Sequence, residues 1–157
     1  MRKINYKTLI FCILIPLAVG GAAALLTLEQ TKSFDLLNKP PLTVPAFVFP
    51  IVWTVLYVCM GIASYLVIET KATQAEFSRA ISLYFSQLFF NFFWSIIFFN
   101  LEWYGVAFIW LVALFVLVLL TTVSFFKINR TAGILMLPYC AWVAFAGYLN
   151  LAISILN

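Results

Sequence analysis

Apolar residues in this chain run in long blocks rather than alternating with polar ones. Five blocks, residues 8–28, 45–68, 80–99, 105–126 and 132–156, contain no charged residue. Each reaches the roughly 20 residues that a helix needs to cross the hydrocarbon core of a bilayer. Between them lie the polar connectors EQTKSFDLLNKPPLTV, ETKATQAEFSR, NLEW and KINRT, of which only the first is long. A β-barrel is the other way to cross a membrane, but it requires a repeat of two. Runs such as VALFVLVLL have no such repeat. The pattern therefore predicts an all-α fold: one domain over residues 1–157, an integral membrane bundle of five transmembrane helices, with residues 29–44 as an extramembrane loop.

Composition agrees. The chain is 66% hydrophobic and only 9% charged, whereas soluble domains carry roughly 25% charged residues. The net charge of +4 rests on nine scattered basic residues, a distribution that gives no nucleic-acid surface. Orientation follows from where those residues fall. Arg2, Lys3, Lys7, Lys71, Arg79, Lys127 and Arg130 share one side, while Lys32 and Lys39 lie on the other. This predicts a cytoplasmic N-terminus, with loop 29–44 and the C-terminus outside, as in a bacterial cell membrane. MRKINYK followed by LIFCILIPLAVGGAAA also has the layout of a signal peptide. The apolar run continues to Leu28, however, and that length suits a span better.

Polar groups inside a membrane helix are costly and need partners. On the third span Tyr84, Gln87, Asn91 and Trp94 recur at intervals of three and four, so they share one face. On the fifth, Tyr139, Trp142, Ala146, Asn150 and Ser154 do the same, and on the second Trp53, Tyr57 and Gly61 line up. The first span offers Pro16 followed by a nearly bare GGAAA patch. Converging, these faces make a hollow with flat apolar walls and a few hydrogen-bonding groups, the usual makings of a small-molecule site. Each feature also has a plainer use. The amides serve as interhelical glue and the small residues permit close packing, tryptophans such as Trp103 form interfacial belts, and Pro16, Pro50 and Pro138 kink helices.

Several chemistries are absent. The chain has no histidine, which removes the usual axial ligand of haem. Its carboxylates, Glu29, Asp35, Glu69, Glu76 and Glu102, all fall in or beside connectors, so no buried acid carries a proton across the membrane. No acid–base pair and no metal cluster is visible, and Cys12, Cys59 and Cys140 stand singly as small apolar fillers.

The stretches LNKPPLTVPAFVFPIVWTVLYVCMG, LYFSQLFFNFFW, TTVSFF and PYCAWVAFAGYLN resemble, in order and spacing, the translocator protein family, also called peripheral benzodiazepine receptors or tryptophan-rich sensory proteins. The resemblance implies a five-helix bundle, generally dimeric, with a ligand cavity beneath the first extramembrane loop. It implies porphyrins, sterol-like molecules and benzodiazepine or isoquinoline drugs as ligands. Carried over residue by residue, Trp53 and Trp142 correspond to the two tryptophans of that site and Asn91 to its third-helix asparagine. Tyr57, Phe93, Ala146 and Leu149 fall at neighbouring lining positions, and the glycine–alanine patch, with Gly21, lies where ligand is contacted. Some positions depart from the family. Leu42 replaces a tryptophan and Val44 a proline in the loop, Trp110 stands where many members have an acid, and Phe89 and Phe90 replace small residues of the third helix. The tail LNLAISILN lacks the sterol-recognition pattern.

The expected function is a membrane receptor or carrier of flat hydrophobic ligands, most plausibly porphyrins, with a sensory or transport role and no required cofactor. Trp53 and Trp142 would stack on the ligand, Asn91, Gln87 and Tyr57 would select it, and Pro40, Pro41 and Pro45 would stiffen loop 29–44 into a lid. Two alternatives stand beside it: a light- and oxygen-dependent enzyme that degrades porphyrin through tryptophan chemistry, and a small exporter of hydrophobic compounds.

Overall fold

The structure, a computed structural model, describes residues 4–30 and 36–157. Arg2, Lys3, Lys32 and Asp35 lie outside them, as does part of the loop expected to be a lid. Five long helices appear, and no strand is present among the described residues. They are α1 (Tyr6–Thr27), α2 (Val48–Glu69), α3 (Gln74–Ser95), α4 (Tyr104–Ile128) and α5 (Arg130–Leu156). A π-helical turn, Ile96–Asn100, extends α3. All five are long and apolar enough to span a membrane, so the chain is an integral membrane protein.

The helix boundaries follow local chemistry. Asn5 caps α1 by accepting from the Thr8 amide at 3.3 Å. The expected second span began at residue 45, but α2 begins at Val48. Pro45 instead forms a lead-in turn whose carbonyl accepts from the Val48 amide at 3.0 Å, and a proline just before a helix sacrifices no helical donor. The third helix starts at Gln74 rather than residue 80. A reciprocal capping box explains it: Thr73 Oγ1 accepts from the Glu76 amide at 3.2 Å, and the Thr73 amide donates to Glu76 at 3.1 Å. A single residue, Asn129, separates α4 from α5 and caps the latter through Ala132 at 3.1 Å.

The helices close into a ring in the order α1, α2, α5, α4, α3, with α3 returning to α1; α2 barely approaches α3 or α4 across it. Hydrogen bonds tie the two ends of this bundle. At one end the Asn5 amide donates to Tyr65 Oη at 3.1 Å, and Asn129 Nδ2 donates to Thr70 Oγ1 at 3.0 Å. At the other, Asn100 Nδ2 reaches the Leu26 carbonyl at 3.1 Å and Asn150 Nδ2 reaches that of Tyr104 at 2.7 Å. Among the described residues Lys7, Lys71, Arg79, Lys127 and Arg130 belong to the first end and Lys39 to the second.

Glycine sets the closest approach between helices. A Cβ at Gly61 would collide with the backbone of α1 at Ile13 and Cys12, so α1 and α2 cross there main chain to main chain. Small residues at such crossings are how membrane helices gain packing contact without a hydrophobic drive.

Candidate functional site: an aromatic mouth above a polar circuit

The centre of the ring is filled by side chains that the sequence pattern had placed on inward faces. Tyr84, Gln87, Asn91 and Trp94 of α3 are all buried, as are Tyr57 and Gly61 of α2 and Tyr139, Ala146, Leu149 and Asn150 of α5. In the middle, Tyr57 Oη donates to Asn91 Oδ1 at 2.8 Å, and Asn91 Nδ2 donates to Tyr139 Oη at 3.1 Å. Tyr139 Oη donates in turn to Gln87 Oε1 at 2.8 Å, and Gln87 Nε2 reaches Met60 Sδ at 3.8 Å. Toward the end of the bundle where α2 begins, Trp94 Nε1 donates to Asn150 Oδ1 at 3.0 Å. The interior amides are thus paired, as an apolar surround demands.

Above this circuit sit the two tryptophans expected to form the site, both half-buried. Trp53 stacks on Tyr57 with ring centroids 5.5 Å apart and planes at 27°, and it meets Tyr139 edge-on at 6.1 Å. Trp142 meets Phe49, from the first turn of α2, edge-on at 5.7 Å. Its indole N–H is buried and has no hydrogen-bond partner among the described residues.

The loop reaches this end of the bundle through α5. The Asn38 amide donates to Asn157 Oδ1 at 3.0 Å, and Asn157 Nδ2 donates back to the Asn38 carbonyl at 3.1 Å. Pro40 is buried, and its carbonyl accepts from the Thr43 amide at 3.2 Å in a tight turn. Pro41 and Pro45 are exposed. Of the three expected lid prolines, only Pro40 packs inward.

Two expected site residues fall elsewhere. Phe93 is 36% exposed and packs on Phe89, with centroids 4.6 Å apart. It lies on the outer face of α3 because two residues of helix separate it from the inward Asn91. Gly21 is exposed, and among the described residues a Cβ there would meet nothing within 4 Å. Its neighbour Gly20 faces the site instead, for a Cβ on Gly20 would fall into the Tyr57 ring. The signal for this was present in the spacing: Cys12, Pro16, Ala23 and Thr27 are the buried residues of α1, and Gly20 continues their series of three and four. Tyr139 was expected on the inward face of the fifth span, but Phe49 and Met60 were not expected as site residues. Their roles depend on contacts between helices that no single segment encodes.

Trp110, at the position where the resemblance puts an acid, donates from Nε1 to the Phe90 carbonyl at 2.8 Å and stacks on Phe90 at 4.4 Å. It fastens α4 to α3. A separate apolar groove between α4 and α5, lined by residues including Phe115, Ala144, Gly147 and Tyr148, contains none of the expected site residues. No group of three or more metal-ligating side chains occurs among the described residues.

Comparison with known proteins agrees with this architecture. Residues 12–156 match the TspO/MBR family. The chain is 35% identical to the tryptophan-rich protein TspO of Chlorobaculum tepidum, over 96% of each chain. It is 33% identical to a tryptophan-rich sensory protein of Cereibacter sphaeroides, over 90% of this chain and 88% of the relative. It is 35% identical to the human translocator protein, over 78% of this chain and 73% of that one. With five membrane-spanning helices, inward tryptophans and a match along nearly its whole length, the chain belongs to the TspO/MBR family.

Proposed function

We propose that this protein is a membrane receptor or carrier for flat hydrophobic ligands, of which porphyrins suit the site best. The observation that carries the reading is Trp142: a half-buried indole beside Phe49 whose buried N–H lacks a partner among the described residues. A buried donor left unpaired costs about 1–3 kcal/mol, and an acceptor on a bound molecule relieves that cost. Trp53, stacked on Tyr57, supplies a flat apolar wall of the kind a macrocycle covers. Aromatic contact of this sort contributes about 0.5–1.5 kcal/mol beyond the burial of area, and burial itself contributes the larger share. Drugs of the benzodiazepine or isoquinoline type are flat enough to use the same walls. Orientation with the N-terminus in the cytoplasm and assembly as a homodimer belong to the same reading.

The test is a titration of purified protein with protoporphyrin, following tryptophan quenching in the dark and in light. Trp53→Phe should weaken binding roughly 2- to 10-fold, matching the aromatic contact above, and Trp142→Phe roughly 5- to 150-fold, matching the cost of the unpaired donor. Unaltered affinity in both variants would remove the site. Reversible quenching under both conditions supports a receptor. Loss of the porphyrin spectrum in light, with a new product, would favour the porphyrin-degrading enzyme.

A further inference from the structure

The amides at the centre of the bundle are already bonded within the protein. Asn91 is 2% exposed and Gln87 0%. Each side-chain oxygen already accepts from a tyrosine, and each nitrogen already donates. The donors run in one direction, from Tyr57 to Asn91, to Tyr139, to Gln87 and on to Met60. The chain of bonds leaves α2 at Tyr57, crosses to α3, to α5, back to α3, and returns to α2 at Met60, one turn below its origin. Such a loop is mutually polarising, and each member fixes the rotor of the next. Both tyrosines that it holds touch Trp53, one face-on and one edge-on. Trp53 is the half-buried member of the assembly, the one left partly accessible.

We propose that Asn91 and Gln87 are positioning residues: through the hydroxyls of Tyr57 and Tyr139 they set the attitude of the Trp53 indole, and so govern binding at the aromatic mouth without touching the ligand. The inference rests on the functional reading above for its ligand, but the circuit itself is a property of the empty protein. A site whose rings are locked in advance spends less of its binding energy on ordering them. The dependence on Asn91 is therefore blind to the ligand's own hydrogen-bonding groups.

Two variants probe it. Tyr57→Phe keeps the ring and removes the first donor. Asn91→Leu removes the amide at similar size. The probes are protoporphyrin, which carries carboxylates and ring nitrogens, and pyrene, a flat hydrocarbon with neither. Each variant should weaken the two probes by one common factor, about 2- to 10-fold for Tyr57→Phe, which loses one buried hydrogen bond, and more for Asn91→Leu, which loses two. The double variant should be no worse than Asn91→Leu alone, since both cut one circuit. In ligand-free protein, Tyr57→Phe should change the long-wavelength tryptophan band of the near-ultraviolet circular dichroism, and that change should vanish when Trp53 is already Phe. Loss of protoporphyrin affinity with pyrene affinity intact would mean that Asn91 contacts the ligand, and would overturn the proposal. So would a Tyr57→Phe protein with unchanged dichroism. If the wild type binds neither probe, the functional reading fails, while the dichroism still decides the circuit. Should Asn91→Leu not fold, Tyr57→Phe carries the test by itself.

Discussion

Replacing Gly20 with alanine adds one methyl group to α1 at the point where it lies against Tyr57. The new Cβ would fall among the Cε2, Cζ and Cδ2 atoms of that ring. Whether this is costly depends on whether the ring can move. A tyrosine at a free surface would swing aside at little cost. Here the ring is 8% exposed, its hydroxyl is bonded to Asn91 at 2.8 Å, and Trp53 is stacked on it. Moving it breaks a buried hydrogen bond; leaving it in place forces α1 outward. Overpacking of this kind costs about 1–3 kcal/mol, and an unfolding midpoint falls roughly 2–4 °C per kcal/mol for a chain of this size. Gly20→Ala should therefore melt roughly 2–12 °C below wild type in detergent. Gly21→Ala is the control one residue away: nothing lies within 4 Å of its Cβ, and it should match wild type or exceed it through the better helix propensity of alanine. Intrinsic tryptophan fluorescence during a thermal ramp measures both. If Gly20→Ala proves as stable as Gly21→Ala, the placement of α1 against Tyr57 is wrong, and the site built on that ring goes with it.

At the crossing of α1 and α2 the obstacle is backbone rather than a ring. Gly61→Ala, whose Cβ would meet Ile13 and the Cys12 carbonyl, should lower the melting midpoint more than Gly20→Ala, and an equal or smaller loss in the same ramp would contradict that geometry. The loop makes a kinetic prediction. Asn157→Ala removes the two bonds its side chain makes to Asn38 and leaves the one from Asn38 Nδ2 to the Leu156 carbonyl, and changing Pro40 and Pro41 to alanine returns conformational freedom to the loop. Either change should speed release of bound protoporphyrin in a stopped-flow displacement, and unaltered dissociation in both would show that the loop is no lid.

The sequence by itself determined the number of helices, their approximate limits and which faces of α2, α3 and α5 turn inward. These are one-dimensional facts. A charge cannot sit in hydrocarbon, so uncharged stretches mark spans, and helical spacing collects Tyr84, Gln87, Asn91 and Trp94 on one side whatever surrounds them. Trp53 and Trp142 were legible for the same reason, reinforced by the family resemblance. Local chemistry was less visible. The early start of α3 at Gln74 is written in its capping box but hidden by a polar stretch that reads as connector, and the π turn Ile96–Asn100 has no comparable signature.

Only the tertiary structure decided what the inward residues touch. Two adjacent glycines are alike in sequence, yet Gly20 meets Tyr57 and Gly21 meets nothing, because a step of one residue rotates the side chain about 100° around the helix. Asn91 and Phe93 are two residues apart, and one lies in the core while the other faces outward. The amides look like ligand-selecting groups when read along the chain. They prove to be bonded to tyrosines of α2 and α5, because a polar group in an apolar interior takes the nearest partner the packing offers, and that partner belongs to another helix.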